Sequence, residues 1–362
     1  LPSGPDRVGE MPVRPASQDQ YIRTRTLINK AAGNPSHGFP QAHGYDNLRA
    51  IPKSTCPGAM NRRNFYSSEY LDRVSHLRND ADWLREALAS TTSRLLPVWQ
   101  SNNLIRGEDN VEPVELDITQ IEVLRGDGEP VLLGLVEGTA YFTLDVSHIE
   151  DPHEHEILGA AGVFEDLRKV GPYIAHRQGN LLAYARGINY WHQRHRFCGA
   201  CGAPTRSQAA GHQRRCTDAS CNAVHFPRTD VACIMLVYHG DRIIMGKAPR
   251  FQGRMQSVLA GFLEPGETLE DCVAREVYEE VGVRVTDVKY QHSQPWPFPA
   301  SIMAGFRARA LDTEMTIDET ELLSADWMSR NEMKAITPDS PVQLPRPDSI
   351  ARRLIEEWLA EG

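Results

Sequence analysis

Glu276, Glu279 and Glu280 fall within residues 261–283, GFLEPGETLEDCVAREVYEEVGV. They are related as i, i+3 and i+4, so on a helix all three carboxylates project from one face. Such a patch repels itself unless a cation holds it. Magnesium suits it, since that ion takes hard oxygen ligands, keeps several waters and bridges to phosphates. A divalent ion neutralises a diphosphate and lowers the pKa of a bound water, while a carboxylate serves as general base. The chemistry indicated is metal-assisted attack of water on a phosphate-bearing substrate. For any single glutamate, a solvated acidic helix face is the alternative.

The elements that must position these groups are legible nearby. Thr268 and Asp271 fit a capping box, so a helix is predicted to begin near Leu269. Gly282 is a natural terminator, and Leu269, Val273, Val277 and Val281 supply a buried stripe. The turn from Gly261 to Glu267 holds two glycines and Pro265, which lets backbone approach phosphates. Arg275 reads as structural, pointing away from the carboxylates or along their edge and tying the helix to the loop with Glu267.

Cys198, Cys201, Cys216 and Cys221 form two close pairs separated by a short spacer. This is the pattern of a four-thiolate zinc site, closed and therefore structural. Four free thiols or two disulfides are the alternative. The absence of a secretory signal and the odd remainder (Cys56, Cys233 and Cys272) favour a reducing compartment such as the cytoplasm. His212 and His225 read as ordinary polar residues beside the ribbon.

Residues 293–301 read SQPWPFPAS. Three alternating prolines forbid helix and favour an extended or polyproline form. Trp296 and Phe298 would then make a rigid wall for an aromatic base, with Gln294 and Ser301 flanking it. A packed edge loop is equally compatible.

Residues 261–283 fill every position of the Nudix box, G-x5-E-x7-R-E-U-x-E-E-x-G-U. With SQPWPFPxS behind it and four cysteines ahead, the chain resembles the NADH pyrophosphatase family of Nudix hydrolases over roughly residues 60–362. The resemblance implies an α+β fold: a Nudix α/β/α sandwich with a mixed sheet, preceded by a zinc ribbon and a degenerate Nudix-like N-terminal domain. It implies metal and catalytic roles, with magnesium or manganese, for Glu276, Glu279, Glu280 and Glu321. It implies substrate contacts from Gln294, Ser301 and Ala351, and a base sandwiched by Phe262 and Phe226. The last assumes a homodimer; without the resemblance both phenylalanines read as core. The implied reaction is hydrolysis of NADH, and less well NAD+, to the nicotinamide mononucleotide and AMP. Removal of NAD caps from RNA by the same chemistry is the alternative. A zinc-ribbon protein that only senses nucleotide is the alternative of another class, and the intact carboxylate set argues against it.

The 362-residue chain carries a net charge of −9, which argues against an extended non-specific RNA surface. Arg194, Arg196, Arg206, Arg214 and Arg215 still cluster around the ribbon, either as contacts to a capped end or as a solvated surface. Residues 1–59 hold eight prolines and six glycines and read as a disordered, mildly basic extension, with a native start suspected at Met60. The domains expected are 60–188, 189–227 (the ribbon) and 228–362 (catalytic). Helix is predicted around 68–95 and 153–190, and strand from about 112 to 147 with GDGEP as the turn. Strands are also predicted at 231–238, 241–248, 285–291 and 302–311, with a final helix stripe of Ile350, Leu354 and Trp358. No apolar run reaches the ~20 residues needed to span a bilayer.

Overall fold

A computed structural model describes residues 63–68, 70–107 and 110–362. The expectations for residues 1–59, for a start at Met60 and for Cys56 lie outside them.

The N-terminal lobe is built on a mixed sheet. Its strands include β1 (Arg94–Trp99), β2 (Asn102–Arg106), β3 (Val131–Val136) and β4 (Thr139–Asp145), with β1 parallel to β4. Helix α1 (Ala81–Ala89) starts where the Asp80 carboxylate accepts the backbone N–H groups of Asp82 and Trp83. It covers only part of the helix predicted at 68–95; residues 94–99 are a buried strand, whose short apolar run periodicity cannot separate from helix. The expected strand run is likewise broken. Ile118–Leu124 is helical, started by Asp117 capping Thr119. The hairpin turn is Glu137–Gly138, both at positive φ, rather than GDGEP. The region 153–190 divides into short pieces and one long helix, α2 (His176–Arg194).

The ribbon carries β5 (Thr205–Gln208), β6 (Gln213–Cys216) and β7 (Val224–His225), all antiparallel. The last lobe has β8 (Asp230–His239), β9 (Arg242–Lys247), β10 (Leu259–Phe262), α3 (Leu269–Val281), β11 (Val285–Trp296), β12 (Ser301–Ala310), β13 (Ser324–Ser329) and α4 (Ile350–Ala360). Its sheet runs β11–β12–β8–β9–β13, with β10 also on β8. The β8–β12 pair is parallel and the others antiparallel, so the sheet is mixed. One face packs under α3 through Cys272, Val273, Val277 and Val281. The other packs under α4 through Ile350, Leu354, Ile355 and Trp358. Together they make the expected α/β/α sandwich.

Residues 293–301 are not a polyproline wall. They form the end of β11, a turn and the start of β12, with Trp296 paired to Ser301. Trp296 and Phe298 meet edge to face at 4.9 Å, and both pack on the fully buried Tyr66. This is the packed edge loop. Tyr66 donates to Asp348 at 2.9 Å, and Arg186 donates to the Pro297 carbonyl at 2.7 Å. Residues before β1 and on α2 therefore clamp the hairpin tip.

Candidate active site

Helix α3 is held by a complete capping box between Thr268 and Asp271, and Gly282 ends it in the left-handed conformation at φ 72°. Its phase turns Glu276 and Glu280 inward, 9% and 5% exposed. Glu276 lies against β10, where a Cβ on Gly261 would sit 1.8 Å from its carboxyl carbon. Any larger residue there would have to displace the Glu276 carboxylate. Glu321 comes from the loop before β13, whose backbone is anchored by Asp318 N–H donating to the Glu280 carbonyl at 3.0 Å.

Carboxylate oxygens of Glu276, Glu280 and Glu321 all lie within 4.8 Å of one another. The Glu280 Oε2 atom is buried with no hydrogen-bond partner. Burial first, then the charges of Glu276 and Glu321, push its carboxyl up to about 8, with Arg250 opposing. Burial also raises Glu276, while Arg275 pulls the other way. A buried carboxylate oxygen without a donor, facing two further carboxylates, fits a divalent cation and little else.

Glu279 is not in this trio. Its carboxylate is mostly exposed and accepts from Arg275 Nη1 at 2.9 Å. Arg275 also donates to both oxygens of Glu267 (2.5 and 2.8 Å), to Glu276 (2.8 Å) and to the Phe262 carbonyl (2.9 Å). It makes the expected tie to Glu267 but does not point away from the patch. Its hydrogen bonds hold Glu267 down at about 2.

In the ribbon the four Sγ atoms of Cys198, Cys201, Cys216 and Cys221 also lie within 4.8 Å of one another, and all are free thiols. That fits a tetrahedral thiolate site better than two disulfides. His225 Nε2 is 3.3 Å from Cys198 Sγ, a partner the sequence reading missed. His212 is buried rather than solvated and sits on the Leu132 carbonyl at 2.7 Å.

The expected substrate contacts are dispersed. Phe226 and Phe262 are exposed rather than core, each at 59%. Ser301 lines a cleft against α2. Gln294 is wholly buried: it donates to the Asp348 carbonyl at 2.7 Å and the Phe65 carbonyl at 3.3 Å, and accepts from Ile350 N–H at 2.7 Å. Ala351 is buried at the start of α4. Neither presents a side chain to solvent.

Residues 92–191 match the NADH pyrophosphatase-like rudimentary NUDIX domain, 193–226 the NADH pyrophosphatase zinc ribbon domain, and 227–346 the NUDIX domain. The chain is 34% identical over 329 residues to the NAD-capped RNA hydrolase NudC of Mycobacterium bovis, covering 86% of this chain and 96% of that protein. It is 32% identical over 340 residues to the NAD-capped RNA hydrolase NUDT12 of Homo sapiens, covering 82% and 73%. The chain belongs to the NADH pyrophosphatase family of Nudix hydrolases. As a Nudix hydrolase it depends on a divalent metal, and the cysteine cluster lies within its zinc ribbon domain. Among the described residues no helix is long and apolar enough to cross a membrane.

Proposed function

We propose that this chain hydrolyses the diphosphate of NADH and NAD+ to the nicotinamide mononucleotide and AMP, and removes NAD caps from RNA by the same reaction. The observation that carries this is the inward trio of Glu276, Glu280 and Glu321 with its orphaned oxygen. The names of the relatives, NAD-capped RNA hydrolases at 32–34% identity, supply the substrate class.

Glu276, Glu280 and Glu321 would hold magnesium or manganese, with Glu279 at their edge. The bound ion would neutralise the diphosphate and acidify a water. The chain's own residues do the rest. Arg275 fixes Glu276 and the Phe262 backbone in one network, so the carboxylates meet the substrate already oriented. A carboxylate accepts the proton as water oxygen bonds to one phosphorus and the bridging P–O bond breaks, leaving two monophosphates. Phe262 offers an exposed ring for a base, and a homodimer in which one subunit's Phe226 completes the other's pocket accounts for two exposed phenylalanines. Zinc on the four cysteines is structural. Gln294, Ser301 and Ala351 remain proposed substrate contacts, the first and last through a rearranged hairpin or backbone, and the domain limits proposed are 60–188, 189–227 and 228–362. The clustered free thiols support a proposed cytoplasmic location.

Mass spectrometry of products from NADH with magnesium or manganese tests the proposal. Reduced nicotinamide mononucleotide plus AMP, absent for Glu280→Gln, supports it; intact NADH with folded, zinc-loaded protein sinks it.

A further inference from the structure

Beside the hairpin tip lies a cleft of 430 Å³, walled by α2, by residues 227–229 and by residues 295–302. Two cations, Arg73 and Arg78, reach it from the segment before α1, and among the described residues its lining contains no aspartate or glutamate. Arg73 lies over the Tyr184 ring at 4.1 Å and has no ion-pair partner among the described residues. Arg78 donates one terminal nitrogen to the Arg73 carbonyl, and its Nε is buried without a hydrogen-bond partner. Burial, and after it the Arg73 charge, lower the Arg78 pKa. His212 stands behind them, held by burial at about 4 and therefore neutral. Arg228 lies on the rim, in an exposed 3.5 Å pair with Asp230.

Two arginines lining one cleft, one of them with a buried Nε that lacks a hydrogen-bond partner, and no carboxylate among the described lining residues suit a phosphate, which accepts the guanidinium fork bidentately. Tyr184 and Trp296 add ring faces of the kind on which bases stack. The volume falls in the range of small-ligand sites, ~300–1,000 Å³. The cleft is also next to the chemistry. Ser301, on its wall, pairs with Asp230, while Phe262 pairs with Ala232 on the opposite edge of the same strand. Two strand spacings and a two-residue offset along the strand separate them, about 12 Å, and the Phe262 carbonyl is held by the arginine that also holds Glu276.

We infer that this cleft binds a nucleotide phosphate beyond the diphosphate that is cut, with Arg73 and Arg78 on the phosphate and Tyr184 or Trp296 against the base. In a capped RNA that is the first nucleotide after the cap. The inference rests on the proposed function. A free nucleotide offers the same chemistry, so the experiment separates the two sources.

The full chain and its Arg73→Ala/Arg78→Ala variant are assayed on NADH and on NAD-capped oligoribonucleotides, with AMP as added free nucleotide. Fluorescence anisotropy with the same oligoribonucleotide measures binding without turnover. The expected result is a 10- to 100-fold lower kcat/KM on capped RNA, NADH turnover within twofold, and a salt slope for RNA reduced by about one to two. AMP inhibition lost in the variant, with capped-RNA turnover unchanged, assigns the phosphate site to a free nucleotide instead. No change on either substrate with AMP inhibition intact, or equal losses on both substrates, overturns the inference. Should the alanine variant melt early, Arg73→Lys/Arg78→Lys keeps the charge without the fork and must lose RNA turnover selectively for the inference to stand. If the wild type cleaves neither substrate, the proposed function has failed, and weaker oligoribonucleotide binding by the variant still upholds the cleft; unchanged binding removes it.

Discussion

Glu280 makes the metal-free enzyme lose stability as pH rises, and replacing it with glutamine should abolish that loss. Its carboxyl sits at about 8 in the fold against 4.5 in a model peptide. The folded state therefore holds a proton that the unfolded chain has released, and stability falls with rising pH between those values. At 1.36 kcal/mol per unit, the loss between pH 6.5 and 8.5 is about 2 kcal/mol, part of a ceiling near ~5 kcal/mol. Buried His192 and His212 both lie at about 4, below this window. The check is thermal unfolding after removal of magnesium and manganese, with the ribbon zinc retained. Wild type should melt roughly 3 °C lower at pH 8.5 than at pH 6.5, since an unfolding entropy of ~2.1 cal/mol/K per residue gives a shift of about 1.3 °C per kcal/mol for a chain of this size. Glu280→Gln should be nearly flat and should melt above wild type at pH 8.5. Returning the divalent ion should rescue wild type alone, because binding selects the ionised carboxylate. Equal melting of wild type at the two pH values, or the same fall in Glu280→Gln, would refute the reasoning.

Three further outcomes follow. Chelating the zinc should make four thiols reactive while Cys233 and Cys272, fully buried between α3 and the sheet, stay protected until unfolding, as a thiol titration will show. Gln294→Ala orphans the Ile350 N–H and two backbone carbonyls, and should lower stability by about 2–3 kcal/mol in urea unfolding; a loss of turnover with no loss of stability would restore its reading as a pure substrate contact. Arg275→Lys keeps the charge but cannot span Glu267, Glu276, Glu279 and the Phe262 carbonyl, so kcat should fall about 10-fold even though the residue is charged.

The catalytic helix was readable because its cap, apolar stripe and terminator are local signals that agree with one another, and the structure forms each of them. The ribbon was readable for the same reason, since cysteine spacing needs no long-range information. What the sequence did not show depended on distant partners. Glu279 looks equivalent to Glu276 and Glu280 on a helical projection, yet Arg275 draws it aside and Glu321, from a loop some forty residues on, takes the inward place. Gln294 alternates as a surface residue would, but the segment around Phe65 and the start of α4 close over it. The helical turn at Ile118–Leu124 was hidden because its β-branched apolar run also suits a strand, and one Asp117 cap decides it. The N-terminal clamp at Tyr66 carries no motif at all.

The most direct measurement is NADH cleavage against magnesium or manganese concentration for wild type, Glu321→Gln and Glu279→Gln, with metal binding followed by calorimetry on the same samples. Glu321→Gln should lose metal affinity and turnover together, whereas Glu279→Gln should keep more of its metal affinity. Full metal binding and turnover in Glu321→Gln, or cleavage of NADH without any divalent ion, would contradict hydrolysis at the Glu276–Glu280–Glu321 trio.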